Sequence, residues 1–190
     1  LPTCFALINP RRADDTSGLG YLAAVGVTFL LVVAVNRCLR RRGYFDTHDE
    51  PDVMQLLDMV ALGTVCDVVP LQGVNRALVR QGLAVAAHTD NMGIQALSRV
   101  SRAEGPLGTY ELGFQLGPRL NAGGRVGEAS LGVRLLSTQS SEEATGFASR
   151  LDDLNTERRA IEAQVLADAM HEAEAKIAAH NAAPPLFLCA

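Results

Sequence analysis

The sequence predicts an α/β chain in which helix greatly outweighs strand. Three observations carry that prediction. Apolar residues recur at three- and four-residue spacing through most of the 190 residues. Two short apolar runs near the ends, CFALIN (4–9) and PPLFLCA (184–190), have the length of strands. A helical pattern runs without interruption from about 141 to 180. Forty helical residues would span roughly 60 Å, enough to join two domains.

CFALIN is closed by Asn9-Pro10 and reads as a buried strand. Residues 10–18 are a polar loop in which Asp15, Thr16 and Ser17 can cap a helix running to about Arg42. The basic end of that helix complements its dipole, and Gly43 ends it. A polar loop follows over 44–51. Val53, Leu56, Leu57, Val60 and Ala61 then mark a helix over 52–62, capped by Asp52 and giving way at Gly63. Val65 to Val69 read as a turning segment closed by Pro70. Helices are expected at 74–87, 92–100, 109–117 and 128–137. Ser140 and Glu143 have capping-box spacing at the start of the long helix. Its apolar stripe is Phe147, Leu151, Leu154, Ile161 and Val165.

With 48% apolar and 20% charged residues, the chain can bury a sizeable core, which excludes general disorder. The net charge of −4 argues against a surface that binds nucleic acid everywhere, so any polyanion would meet a local patch. Lys176 is the only lysine, a bias that a GC-rich genome explains as well as phosphate recognition does. Four cysteines and four histidines are scattered, without a Cys-x-x-Cys pair. That excludes a zinc ribbon or disulfide framework and fits a reducing, cytoplasmic setting. Leu19 to Val35 carries no charge, but it sits at the lower limit for a membrane span. Gly20, Gly26 and Thr28 favour a helix buried in a core instead. The chain has no initiator methionine, and its last residues read as a strand just beginning; it is expected to be a piece of a longer protein.

Two stretches carry chemistry. In GTVCDVVP (63–70), Asp67 stands within an apolar run with no cation nearby. A carboxylate in such surroundings needs compensation, from backbone N–H groups at a helix end or from a metal ion. In LGPRLNAGGRVG (116–127), Arg119, Asn121 and Arg125 alternate with Gly117, Gly123, Gly124 and Gly127. Such glycines can form an anion-binding nest beside phosphate-binding arginines, or simply a turn between helices. The stretch is neither a Walker loop nor a dinucleotide fingerprint.

Taken together, GTVCDVVPLQGVNRALVRQGL (63–83) and LGFQLGPRLNAGGR (112–125) resemble the DHH phosphoesterase family, in particular its single-stranded-DNA-specific exonucleases. INPRRADD and GLGYLAAVGVTFLL (within 8–31) and LDDLNTERRAIE (151–162) match in the same order. The resemblance implies the C-terminal part of a parallel-sheet DHH catalytic domain over 1–138, mostly helical here. It further implies a connecting helix over 139–183 and the first strand of a DHH-associated domain over 184–190. Asp67 falls on a family metal ligand, for Mn²⁺ or Mg²⁺, two ions in the whole protein. Arg119, Asn121, Gly123, Gly124 and Arg125 fall on the active-site segment that meets DNA phosphate. Cys66 and Gly123 replace small family residues with other small residues. The family's Asp-x-Asp and Asp-His-His motifs are absent from the chain and would lie upstream.

The implied reaction is metal-assisted 5′→3′ hydrolysis of single-stranded DNA in recombination and repair. The implied partners are single-stranded DNA, a single-strand binding protein and a helicase. Because Asp67 cannot hold two metals alone, the chain by itself is expected to be inactive, and its sparse aromatics place base-stacking surfaces elsewhere. The alternatives are another DHH phosphoesterase, acting on oligoribonucleotides or cyclic dinucleotides, and a non-catalytic DNA-binding relative.

Overall fold

Helix α2 (Leu57–Cys66) is the element around which the others are arranged. Its sequence, LDMVALGTVC, is apolar on nearly every side, and a helix of that kind must be covered on every side. In the computed structural model, which describes residues 5–126 and 128–179, it is. One face joins Phe29 of α1 (Ala24–Arg41) and Leu78 and Val85 of α3 (Gly73–Ala86) through Leu57 and Val60. Ala61, one turn on from Leu57, and Leu62 belong to the main core. There they meet α4 (Met92–Ser101), a π-helical segment (Glu111–Leu116), α5 (Gly117–Val126), α6 (Leu131–Ser137) and the first third of α7 (Ser141–Ala179).

The α2–α3 contact depends on Gly82. A β-carbon there would overlap the Leu57 carbonyl oxygen and lie 2.6 Å from Ala61 Cβ, so the two backbones touch. Side-chain caps fix the starts of α4 and α7. The Asn91 side chain accepts the Ile94 N–H at 3.0 Å to open α4. Ser140 Oγ accepts the Glu143 N–H at 3.3 Å to open α7. The reciprocal half of the capping box goes elsewhere: Glu143 takes the Thr138 hydroxyl at 2.6 Å, and Thr138 Oγ1 accepts the Ser140 N–H.

Several expectations change in the structure. No strand occurs among the described residues. Residues 5–9 run unpaired with Phe5, Leu7 and Ile8 exposed, because a strand needs a neighbouring strand to bond to and none is there. The strand expected at 184–190 lies outside the described residues. The first helix is not buried all round, since Leu30, Leu31, Val33 and Val35 face outward. No described helix is long and apolar enough to cross a membrane. Helix α2 continues through Gly63 to Cys66, because that glycine lets α1 approach: a β-carbon would meet Val25 at 2.9 Å.

The glycine-rich stretch is not a nest but the helix α5, so its N–H groups bond within the helix. The helix expected over 128–137 starts at Leu131. The stripe on α7 is buried at Leu151 and Leu154 and ends there. Ile161 and Val165 are exposed, as no described element packs on that part of the helix.

Candidate active site

Asp67 is the first residue beyond the last turn of α2 and caps it, its N–H bonding the Gly63 carbonyl at 3.0 Å. The apolar run led to the expectation of a buried carboxylate. The structure instead turns Asp67 outward, exposed, with no side-chain hydrogen bond or ion pair among the described residues. The helix-end alternative, a carboxylate taken up by backbone N–H groups, is therefore not what the fold builds. The next residue, Val68, has φ +55°, a left-handed conformation that β-branched residues avoid. It swings the chain sharply away from α2 directly after Asp67.

Residues the sequence reading passed over hold that turn in place. Asn75, fully buried on α3, donates to the Pro70 carbonyl at 3.0 Å and to the Tyr21 carbonyl at 2.9 Å. The Tyr21 hydroxyl accepts the Val74 N–H at 3.1 Å. Together they tie the segment after Asp67 to the residues just before α1. The signal was present in VNRAL, where one amide side chain interrupts the apolar face of a helix.

Asp67 opens onto a cavity of about 490 Å³ whose wall includes Gly63, Cys66, Leu120 and Asn121. The end of α2 meets the start of α5 closely. At Gly117 a β-carbon would stand 2.7 Å from the Cys66 sulfur, so only glycine lets the two elements approach this far. The Cys66 thiol donates to the Leu112 carbonyl at 3.6 Å. Burial, and then the negative charge of Asp67, push that thiol up to about 11. It is a neutral, weak donor at pH 7.

The RLNAGGR segment divides along helical lines. Asn121 faces the Asp67 cavity with its amide unpartnered among the described residues. Arg125, four residues on and thus on the same face, is exposed and unpaired among the described residues. Arg119 points elsewhere. Its Nε donates to Asp152 Oδ1 of α7 at 2.7 Å and its Nη1 to the Gln115 carbonyl at 2.7 Å. Gly123 is a packing residue, where a β-carbon would come within 3.0 Å of Leu151, whereas Gly124 faces open space. On α7, Asn155 is buried and bonded to Arg158, which also pairs with Glu162.

Asp67 and Asn121 thus offer oxygen donors of the hard type that Mn²⁺ and Mg²⁺ prefer. They fit as part of a donor set. No group of three or more His, Cys, Asp or Glu able to hold a metal exists among the described residues.

No protein-family model matches the chain. Curated relatives do. The chain is 46% identical over 178 residues to the single-stranded-DNA-specific exonuclease RecJ of Dickeya dadantii, covering 92% of this chain and 31% of that protein. It is 45% identical over 166 residues to the Escherichia coli RecJ, covering 85% of this chain and 29% of that protein. Among solved structures, exonuclease RecJ bound to manganese superposes with a TM-score of 0.67 at 34% identity, over 77% of this chain and 35% of that one. RecJ of Thermus thermophilus in complex with Mg²⁺ gives 0.65 at 33% identity, over 84% and 23%. The chain therefore spans about a third of the length of the curated relatives it matches. In sequence and in fold alike, it is a relative of RecJ.

Proposed function

We propose that this chain forms one wall of the active site of a metal-dependent exonuclease that hydrolyses single-stranded DNA from its 5′ end. The observation that carries the reading is Asp67, a carboxylate without a partner among the described residues, at the mouth of a cavity it shares with Asn121. The names of the relatives and the manganese and magnesium in solved RecJ structures supply the chemistry. In this reading Asp67 ligates, Asn121 orients, and Arg125, one turn along α5, receives the DNA phosphate. Arg119 fixes α5 against α7 and touches phosphate only if it leaves Asp152. Mn²⁺ or Mg²⁺, when bound, supplies the Lewis acidity and activated water that phosphodiester hydrolysis requires.

The parallel sheet and the remaining ligands belong to chain beyond this stretch. Residues 1–138 complete that catalytic domain, 139–183 connect it, and 184–190 begin the next domain. The assembled protein works in the cytoplasm, alongside a single-strand binding protein and a helicase.

The test is Asp67→Ala in a full-length RecJ carrying this segment. Hydrolysis of 5′-phosphorylated single-stranded DNA should fall on the order of a thousandfold, while DNA binding in EDTA stays within about twofold. Unchanged turnover would reduce Asp67 to a helix-capping residue. Preferential cleavage of short RNA by the unmodified protein would shift the reading to another DHH phosphoesterase.

A further inference from the structure

Four residues beyond Asp67, past the turn made by Val68, Leu71 lines a second groove. Arg76, Val79, Arg80 and Leu83 of α3 form one wall, with Thr109 opposite. Four extended residues reach at most ~14 Å, so the groove begins within that distance of the candidate ligand. Arg76 and Arg80 are four apart on one helix and hence on one face. Neither has an ion pair or hydrogen bond among the described residues, and no carboxylate lines the groove. In a chain of net charge −4, two unpaired guanidinium groups beside the site form a local positive patch.

Directly after Thr109 comes an aromatic pair. Tyr110 and Phe114 stack with ring centroids 5.2 Å apart and planes 29° apart, yet they are 61% and 72% exposed. Two stacked rings left in solvent gain nothing for the core. The π-helical segment that carries Phe114 is pressed onto α2 instead through Gly113, whose β-carbon would meet Val65 at 3.2 Å. The platform is thereby fixed to the same helix that presents Asp67. Unpaired arginines that follow a phosphate backbone, next to aromatic faces that take bases, are the physical requirements for holding a single strand without reading its sequence.

We propose that this groove and the Tyr110–Phe114 platform form a binding track for single-stranded nucleic acid. Phosphates lie along Arg76 and Arg80, and a base stacks on the exposed rings. The proposal deepens the exonuclease reading and rests on it for the direction of the strand. It also revises the expectation that stacking surfaces lie outside this chain.

Binding of fluorescein-labelled oligo-dT to a full-length RecJ carrying this segment, in EDTA, tests it without hydrolysis. Arg76→Ala with Arg80→Ala should weaken binding and flatten the slope of log K against log salt by about 1.4, two phosphates at ~0.7 each. Tyr110→Ala with Phe114→Ala should weaken binding about five- to a hundredfold with the slope unchanged. Arg37→Ala with Arg41→Ala, on α1, should do neither. Photocrosslinking with 5-iodouracil DNA should label the tryptic peptide 103–119, which carries both rings. Wild-type affinity and slope in the groove variants, with no label on that peptide, would overturn the track and leave the rings as a protein-docking surface. Failure of the Asp67→Ala test with these binding effects intact would instead overturn the metal reading alone.

Discussion

Arg119 decides how the arginine-rich segment is divided between structure and chemistry, and a double-mutant cycle with Asp152 measures that division. The pair is formed at 2.7 Å, with side-chain exposures of 17% for Arg119 and 36% for Asp152. Fully exposed pairs contribute roughly 0.2–1 kcal/mol, and hydrogen bonds to charged groups about 1.5–3 kcal/mol. A pair half withdrawn from water falls between them, so the coupling should be about 1–1.5 kcal/mol. Arg119→Ala also forfeits the bond to the Gln115 carbonyl and the packing of its stem, and should cost about 2–3 kcal/mol in all. Asp152→Ala should cost less, about 1–1.5 kcal/mol, because the Arg119 guanidinium keeps its bond to the Gln115 carbonyl and its 17% exposure still lets water reach it. Arg119→Lys should behave nearly as badly as alanine, since one ammonium cannot reach the carboxylate and the carbonyl in their two directions. The assay is urea unfolding of the four cycle members and the lysine variant. A coupling below ~0.3 kcal/mol would refute the structural role and return Arg119 to the phosphate site.

Two further outcomes follow from packing and charge. Gly82→Ala gains about 1 kcal/mol of helix propensity but forces a methyl group into the Leu57 carbonyl; overpacking of ~3 kcal/mol or more leaves a net loss of about 2 kcal/mol in urea unfolding. A stability within 0.5 kcal/mol of wild type, taken as roughly the limit of neutral changes, would mean that α2 and α3 are farther apart. Cys66 should be alkylated by iodoacetamide about a hundredfold more slowly than exposed Cys38 at pH 8, read by peptide mass spectrometry. Its raised value means that folding favours the neutral thiol. That preference costs nothing below the ordinary thiol range, and stability is lost as pH climbs through it toward about 11. Asp67→Asn, by removing the nearby negative charge, should move the onset of Cys66 alkylation to lower pH. Equal rates for the two thiols in the wild type would contradict the contact between Cys66 and α5.

Local sequence determined the helices well because each is specified by its own periodicity and, at α4 and α7, by its own cap. Asn91, Ser140 and the apolar spacing of α2 and α7 required no knowledge of their neighbours. The two motifs stood out for a similar reason, since a lone aspartate in an apolar run and an arginine–glycine cluster are conspicuous in any context. What sequence could not supply were the environments. Glycine marks a turn and a close helix crossing equally well, and only the approach of α2 to α3 and of α5 to α7 reveals Gly82 and Gly123 as crossings. An apolar neighbourhood in sequence implied a buried Asp67, but the reversal at Val68 carried it into solvent. Asn121 and Arg125 were separated from Arg119 by the helical period once the segment proved to be helix, and Asp152 completed the division from 33 residues away. Secondary structure is settled within a few residues of chain, whereas exposure, pairing and the sharing of a cavity are settled by which distant surfaces come together.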